Sequence, residues 1–80
     1  MSAQIFEMVR GSLVELFGLD PARISPQSRL ADDLELDSID AVDLVDHMKH
    51  LTGRKIGPED FRAVHTVADL VQATERLLRS

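Results

Sequence analysis

Three groups of side chains in this sequence are capable of chemistry. Ser38 sits between Asp37 and Asp40, where an acidic stretch passes into the apolar-periodic run Ala41-Val42-Asp43-Leu44-Val45. The carboxylates of Asp32, Asp33, Glu35, Asp37, Asp40 and Asp43 crowd the same region, and His47 and His50 follow three positions apart. A serine hydroxyl can attack an acyl group itself, or it can accept a group that another protein delivers. Self-contained catalysis needs a histidine within hydrogen-bond reach, oriented by a third group. His47 lies nine positions after Ser38, about 13 Å away on one helix at about 1.5 Å per residue. His65 could approach only through folding, and no G-x-S-x-G elbow surrounds the serine. No catalytic residue is therefore expected in this chain. A serine at a helix start is often simply a cap, but Asp37 can do that here, which leaves the Ser38 hydroxyl free to face solvent and a partner protein.

The acids invite a calcium reading, which the spacing rejects. An EF-hand loop needs glycine at its sixth position and glutamate at its twelfth. Counted from Asp32, those positions hold Asp37 and Asp43. A solvated acidic face is the expectation instead. His47 and His50 could touch one metal from adjacent turns, but no third ligand stands at matching spacing. Surface histidines near a helix C-terminus, where positive charge is favoured, are expected, and no metal site.

These residues must be held by the elements around them. Ser2 is a plausible cap for a first helix, in which Ile5, Phe6, Val9, Leu13, Leu16 and Phe17 recur at three- and four-residue steps and Gly18 supplies the stop. Leu19 to Leu36 carries Pro21, Pro26 and several turn formers and reads as a long loop, pinned by Leu19, Ile24, Leu30 and Leu34. The second helix opens at Asp37 or Ser38, with Asp40 completing a capping-box pattern, and Gly53 ends it. Its apolar side is expected to be Val42, Leu44, Val45, Met48 and Leu51. A short helical turn is expected after Pro58, burying Phe61 and Val64. Thr66 caps a last helix whose inner face is Val67, Leu70, Val71, Thr74, Leu77 and Leu78. No segment alternates long enough to make a strand. The expected core is Phe6, Val9, Leu13, Phe17, Leu44, Val45, Met48, Phe61, Leu70 and Val71.

The bulk properties narrow the function further. The 80 residues are expected to form a single domain spanning 1–80, with little room for a deep catalytic cleft. There is no cysteine, hence no disulfide, thiolate nucleophile or thiolate metal site. No apolar run approaches the roughly 18 residues of a membrane span, and no signal peptide opens the chain. A soluble, monomeric, cytoplasmic protein is the expectation. Met1, and an end just after the last helix, suggest a free-standing protein rather than a piece of a longer one. The net charge of −5 argues against nucleic-acid binding. The charge is also uneven. Asp32 to Asp46 holds seven acids and no Lys or Arg, whereas His47 to Lys55 holds three bases, two histidines and no acid. An acidic face attracts basic partners and speeds their encounter.

Asp37-Ser38-Ile39-Asp40 in this setting resembles the Asp-Ser-Leu attachment motif of acyl carrier proteins, whose serine carries 4′-phosphopantetheine. The likeness extends through Phe17-Gly18-Leu19-Asp20-Pro21-Ala22-Arg23-Ile24, Leu30-Ala31-Asp32-Asp33-Leu34-Glu35-Leu36, Ala41-Val42-Asp43-Leu44-Val45 and Val64-His65-Thr66-Val67-Ala68-Asp69-Leu70, in the family's order. The resemblance implies an all-α, four-helix acyl-carrier-like bundle of three main helices and one short one with a long first loop. It implies a phosphopantetheine arm on Ser38, supplying the thiol the chain lacks, added by a magnesium-dependent phosphopantetheinyl transferase using coenzyme A. Acyl-loading, elongating or transferring enzymes with basic patches would then meet Asp37, Ile39, Asp40 and Asp43. Ile39 stands where leucine is usual, a mild departure, and Leu36 stands where glycine or another small residue is common. A third, His47, Lys49 and His50 in place of the acidic helix end of fatty-acid carriers, implies a dedicated partner set. A peptidyl or aminoacyl carrier is the near alternative, and an unmodified acidic helical interaction module is the alternative of another class.

Overall fold

The computed structural model describes residues 2–55 and 63–79, with Ser38 by its backbone alone. The described residues form three helices in the order α1 (Ala3–Phe17), α2 (Ser38–Thr52) and α3 (Val67–Arg79), with a 3-10 turn at Pro21–Arg23 in the long first connection. Each main helix packs against the other two. The all-α bundle expected from the sequence is observed. The short helix expected after Pro58, with Phe61, lies outside the described residues.

The helix ends follow the local chemistry. Ser2 Oγ accepts the Ile5 N–H, and Gly18 leaves the helix at φ 64°, its N–H donating to the Val14 carbonyl at 2.9 Å. Gly53 repeats this at the end of α2, at φ 68° with its N–H on the Lys49 carbonyl. Both positions need the left-handed conformation that glycine adopts without a Cβ penalty. Thr66 Oγ1 accepts the Asp69 N–H while Asp69 Oδ2 accepts the Thr66 N–H, a reciprocal cap for α3.

The core is Val9, Leu13, Ile24, Leu34, Leu44, Met48, Val67, Leu70 and Val71. Six of the expected core residues are among these. Phe6, Phe17 and Val45 are half-buried against its edge rather than inside it. The expected stripes were also too wide. Leu16, Val42, Leu51 and Leu78 face outward, Val42 with 67% of its surface exposed. Each stands where its helix turns away from the other two, so apolar spacing alone did not mark the boundary of the packed face.

The long loop is fastened by two devices. Ile24 and Leu34 enter the core, with Leu19, Leu30 and Leu36 packed against it. Backbone bonds also stitch it to the entry of α3: Leu30 N–H to the His65 carbonyl (2.9 Å), Val67 N–H to Ser28 (3.0 Å) and Ala68 N–H to Pro26 (2.9 Å). Arg29 and Thr66 form an isolated antiparallel bridge there. Buried Ser28 donates its hydroxyl to the Arg23 carbonyl and accepts the Ser25 N–H. The loop therefore hands the chain to α2 from a fixed position.

Candidate functional site

Ser38 is the first residue of α2. The cap before it is closed reciprocally: Asp37 Oδ1 accepts the Asp40 N–H at 2.9 Å, and Asp40 Oδ2 accepts the Asp37 N–H at 3.2 Å. The capping duty thus falls on Asp37, as expected. Among the described hydrogen bonds, the N–H groups of Ser38 and Ile39 have no acceptor, as expected for the first turn of a helix. Asp37 is exposed on one side, and Ile39, 73% exposed, on the other. Asp43 is exposed one turn beyond Ile39, while Asp40 is half-buried by its part in the cap. The structure therefore groups Asp37, Ile39, Asp40 and Asp43 around the start of α2.

A cleft of about 570 Å³ opens beside this junction. Leu30, Leu36, Ala41, Leu44 and Val64 supply apolar wall, with Asp37 next to Ser38 at one side. The three segments that build it are the loop, the first turns of α2 and the entry to α3. That last wall is held by Asp69, whose carboxylate accepts the N–H groups of His65 and Thr66. These two bonds, His65's first, hold the Asp69 carboxyl below its ordinary pKa. The cleft is not legible in the sequence, because its walls come from residues up to 37 positions apart (Arg29 to Thr66).

The histidines part company. His50 is exposed as expected, with Nε2 3.7 Å from Asp46 on its own helix. His47 is instead half-buried, with Nε2 3.1 Å from Ser12 Oγ on α1. Ser12 spends its one hydroxyl proton on the Met8 carbonyl at 3.0 Å, so the bond between helices is complete when His47 Nε2–H donates to Ser12. The expectation of a surface residue fails for His47 because a small buried hydroxyl on α1 gives it an inward partner. Its ring is thereby turned to α1, which leaves it no part in activating Ser38.

The profile of the phosphopantetheine attachment-site family matches residues 7–74 of the chain. The chain belongs to the acyl carrier protein family. It is 47% identical over 75 residues to acyl carrier protein 2 of Ralstonia nicotianae, covering 94% of this chain and 93% of the relative. It is 35% identical to the acyl carrier protein of Thermotoga maritima, over the same shares of the two chains. To the meromycolate extension acyl carrier protein of Mycolicibacterium aurum it is 30% identical, over 96% of this chain and 82% of that one. The chain is an acyl carrier, its prosthetic group is 4′-phosphopantetheine, and its partners are a modifying transferase and acyl-handling enzymes. No helix among the described residues is long and apolar enough to cross a membrane.

The start of α2 fits that group. A phosphodiester there would meet unpaired N–H groups and the positive end of the helix dipole. The adjoining carboxylates of Asp37 and Asp40 each have an oxygen engaged in the cap. The exposure of Asp37 and Ile39 leaves the junction open to solvent, and the cleft beside it has a largely apolar wall.

Proposed function

We propose that Ser38 is the point at which the arm is attached, and that Asp37, Ile39, Asp40 and Asp43 are the residues partner enzymes grip. The observation that carries this reading is the closed Asp37–Asp40 cap. It holds the start of α2 rigid without calling on the serine, between two exposed neighbours. In the transfer Ser38 Oγ attacks the phosphorus that carries the pantetheine of coenzyme A, the pyrophosphate bond breaks, adenosine 3′,5′-bisphosphate leaves, and the serine proton passes to the transferase, so that the arm is held on Ser38 as a phosphodiester. Once in place, the arm supplies the thiol on which acyl groups ride as thioesters. We assign the chain no catalytic step of its own. Its work is to present Ser38, orient the arm through α2, and shelter the first carbons of an apolar cargo against Leu30, Leu36, Leu44 and Val64. Exposed Asp43 and Ile39 are suited to brief contact, since rim charges steer and orient more than they bind. The setting we infer is cytoplasmic fatty-acid, lipid or polyketide-type biosynthesis, with the 80 residues acting as one domain and as a monomer.

Incubation with coenzyme A, magnesium and a broad-range phosphopantetheinyl transferase should add one phosphopantetheine unit to the intact mass, and Ser38→Ala should add none. Modification that persists in Ser38→Ala would sink the assignment. Absence of modification in the native chain would favour the unmodified interaction module instead.

A further inference from the structure

The outward face of α2 changes sign along its length. Ile39, Val42, Asp43, Asp46, Lys49 and His50 are all exposed. At about 100° per residue, Ile39, Asp43, Asp46 and His50 lie within about 40° of one line, with Val42 and Lys49 along one flank of it. The face thus runs from an apolar pair, through two acids, to Lys49 and His50, and the exposed cations Arg54 and Lys55 follow past the end of the helix. Among the described residues, Asp43, Lys49, Arg54 and Lys55 have no ion-pair partner. Attraction to the negative end of the helix accounts for a cation in the last turn. It does not account for exposed Ile39 and Val42 on the same face, nor for unpaired Arg54 and Lys55 past the end of α2 in a chain of net charge −5.

We propose that this face docks partner enzymes of mixed polarity. Such a partner spans two sides of α2, with a cation against Asp43 and a carboxylate against Lys49, about 9 Å apart along the helix at about 1.5 Å per residue and about 120° apart around it at about 100° per residue, with the cation on the side nearer Ser38. The proposal deepens the reading of Ser38 as the attachment point, on which it rests for the direction the arm must take. A docking surface that is basic throughout suits the stretch from Asp32 to Asp46 but meets like charge at Lys49, Arg54 and Lys55. Like-charge juxtaposition suppresses wrong partners and fixes register. The change of sign also fixes polarity, because a partner turned end for end would set its cation on Lys49 and its carboxylate on Asp43. Only one orientation satisfies both ends, and it keeps Ser38 at the same end of the interface each time.

The test uses the unmodified chain, so its outcome does not depend on whether Ser38 bears an arm. The probe is a fatty-acid condensing enzyme with a carrier-docking patch that is basic throughout. It is used in its native form and in a form carrying glutamate in place of the patch lysine farthest from its active site. Binding is measured by fluorescence anisotropy at low salt, where screening is weakest, for the native chain and for Lys49→Glu with His50→Glu. One exposed contact changed from repulsion to attraction at Lys49, and one carboxylate added at His50, should tighten binding to the native probe by about three- to thirty-fold. The glutamate probe should reverse the preference, and added salt should shrink both effects. Lys49→Ala with His50→Ala, which removes the repulsion without reversing it, should fall between, and guards against a weakened helix end. Equal affinities of the three chains for the native probe overturn the proposal. A gain that the glutamate probe does not reverse overturns it too, because it would come from net charge alone.

Discussion

Leu44 belongs both to the core and to the cleft beside Ser38, and its truncation tests whether those two are one structure. It is 1% exposed and packs between α1 and α3 from the inner side of α2. Leu44→Ala removes three carbons, which is about 2.4 kcal/mol of lost burial at about 0.8 kcal/mol each. The space vacated adds a cavity cost, so that Leu→Ala changes generally span about 2–5 kcal/mol. Here part of the vacated space opens into the cleft, whose wall Leu44 forms. The cavity cost is therefore partly relieved, and about 2.5–3.5 kcal/mol is expected. Leu70 is equally buried but does not line the cleft, so Leu70→Ala should cost more. For a chain of this size, whose whole stability is about 4–12 kcal/mol at about 0.05–0.15 kcal/mol per residue, the Leu44 variant should fold but melt about 10–25 °C lower. Urea titration followed by circular dichroism should show a lower midpoint at an unchanged slope. A loss below about 1 kcal/mol, or a Leu44 variant less stable than the Leu70 one, would show that the cleft and the core are not joined as described.

Three further outcomes follow from particular bonds. Asp37→Ala removes the cap at the start of α2 and should cost about 1 kcal/mol, whereas Asp37→Asn should keep most of it; the thermal midpoints of the two variants decide this. Asp69 has a folded pKa below its ordinary 3.8, so its contribution is complete above that ordinary value and is lost as pH falls through the lower folded one. Native chain and Asp69→Asn should accordingly differ in urea midpoint at pH 6 and converge toward pH 2. Ser12→Ala leaves His47 Nε2–H without its partner across the helix pair, and because His47 is half-exposed to water the cost should be about 1 kcal/mol. A double-mutant cycle of Ser12→Ala with His47→Ala should return a coupling of about 0.5–1.5 kcal/mol, and a coupling near zero would place that bond outside the folded ensemble.

Features written in neighbouring residues were legible from the sequence. The Asp37–Asp40 cap needs only the spacing Asp-x-x-Asp before an apolar run, and Gly18 and Gly53 mark helix ends because no other residue enters the left-handed turn so cheaply. Ile24 and Leu34 could be picked out as anchors because isolated apolar residues in a turn-rich segment have few other uses. What the sequence hid depends on residues distant along the chain. Val42 and Val45 share the same helical spacing, and only the placement of α1 and α3 leaves the first in solvent and half-buries the second. Ser12 and His47 are 35 positions apart, and a serine inside an apolar stripe gives no sign that a histidine will reach it. The cleft, the part of the site that bears on cargo, exists only because the Leu30–His65 and Ser28–Val67 backbone bonds draw the loop against the entry to α3.

Tandem mass spectrometry of the loaded carrier tests most directly whether acyl groups ride on an arm at Ser38. The chain is treated with transferase and coenzyme A, acylated, and fragmented before and after hydroxylamine, which cleaves thioesters. One arm per chain is expected, on the fragment containing Ser38, with an acyl mass that hydroxylamine removes while the arm remains. An arm found on Ser12, Ser25, Ser28 or any other hydroxyl, or an acyl group that survives hydroxylamine, would contradict it.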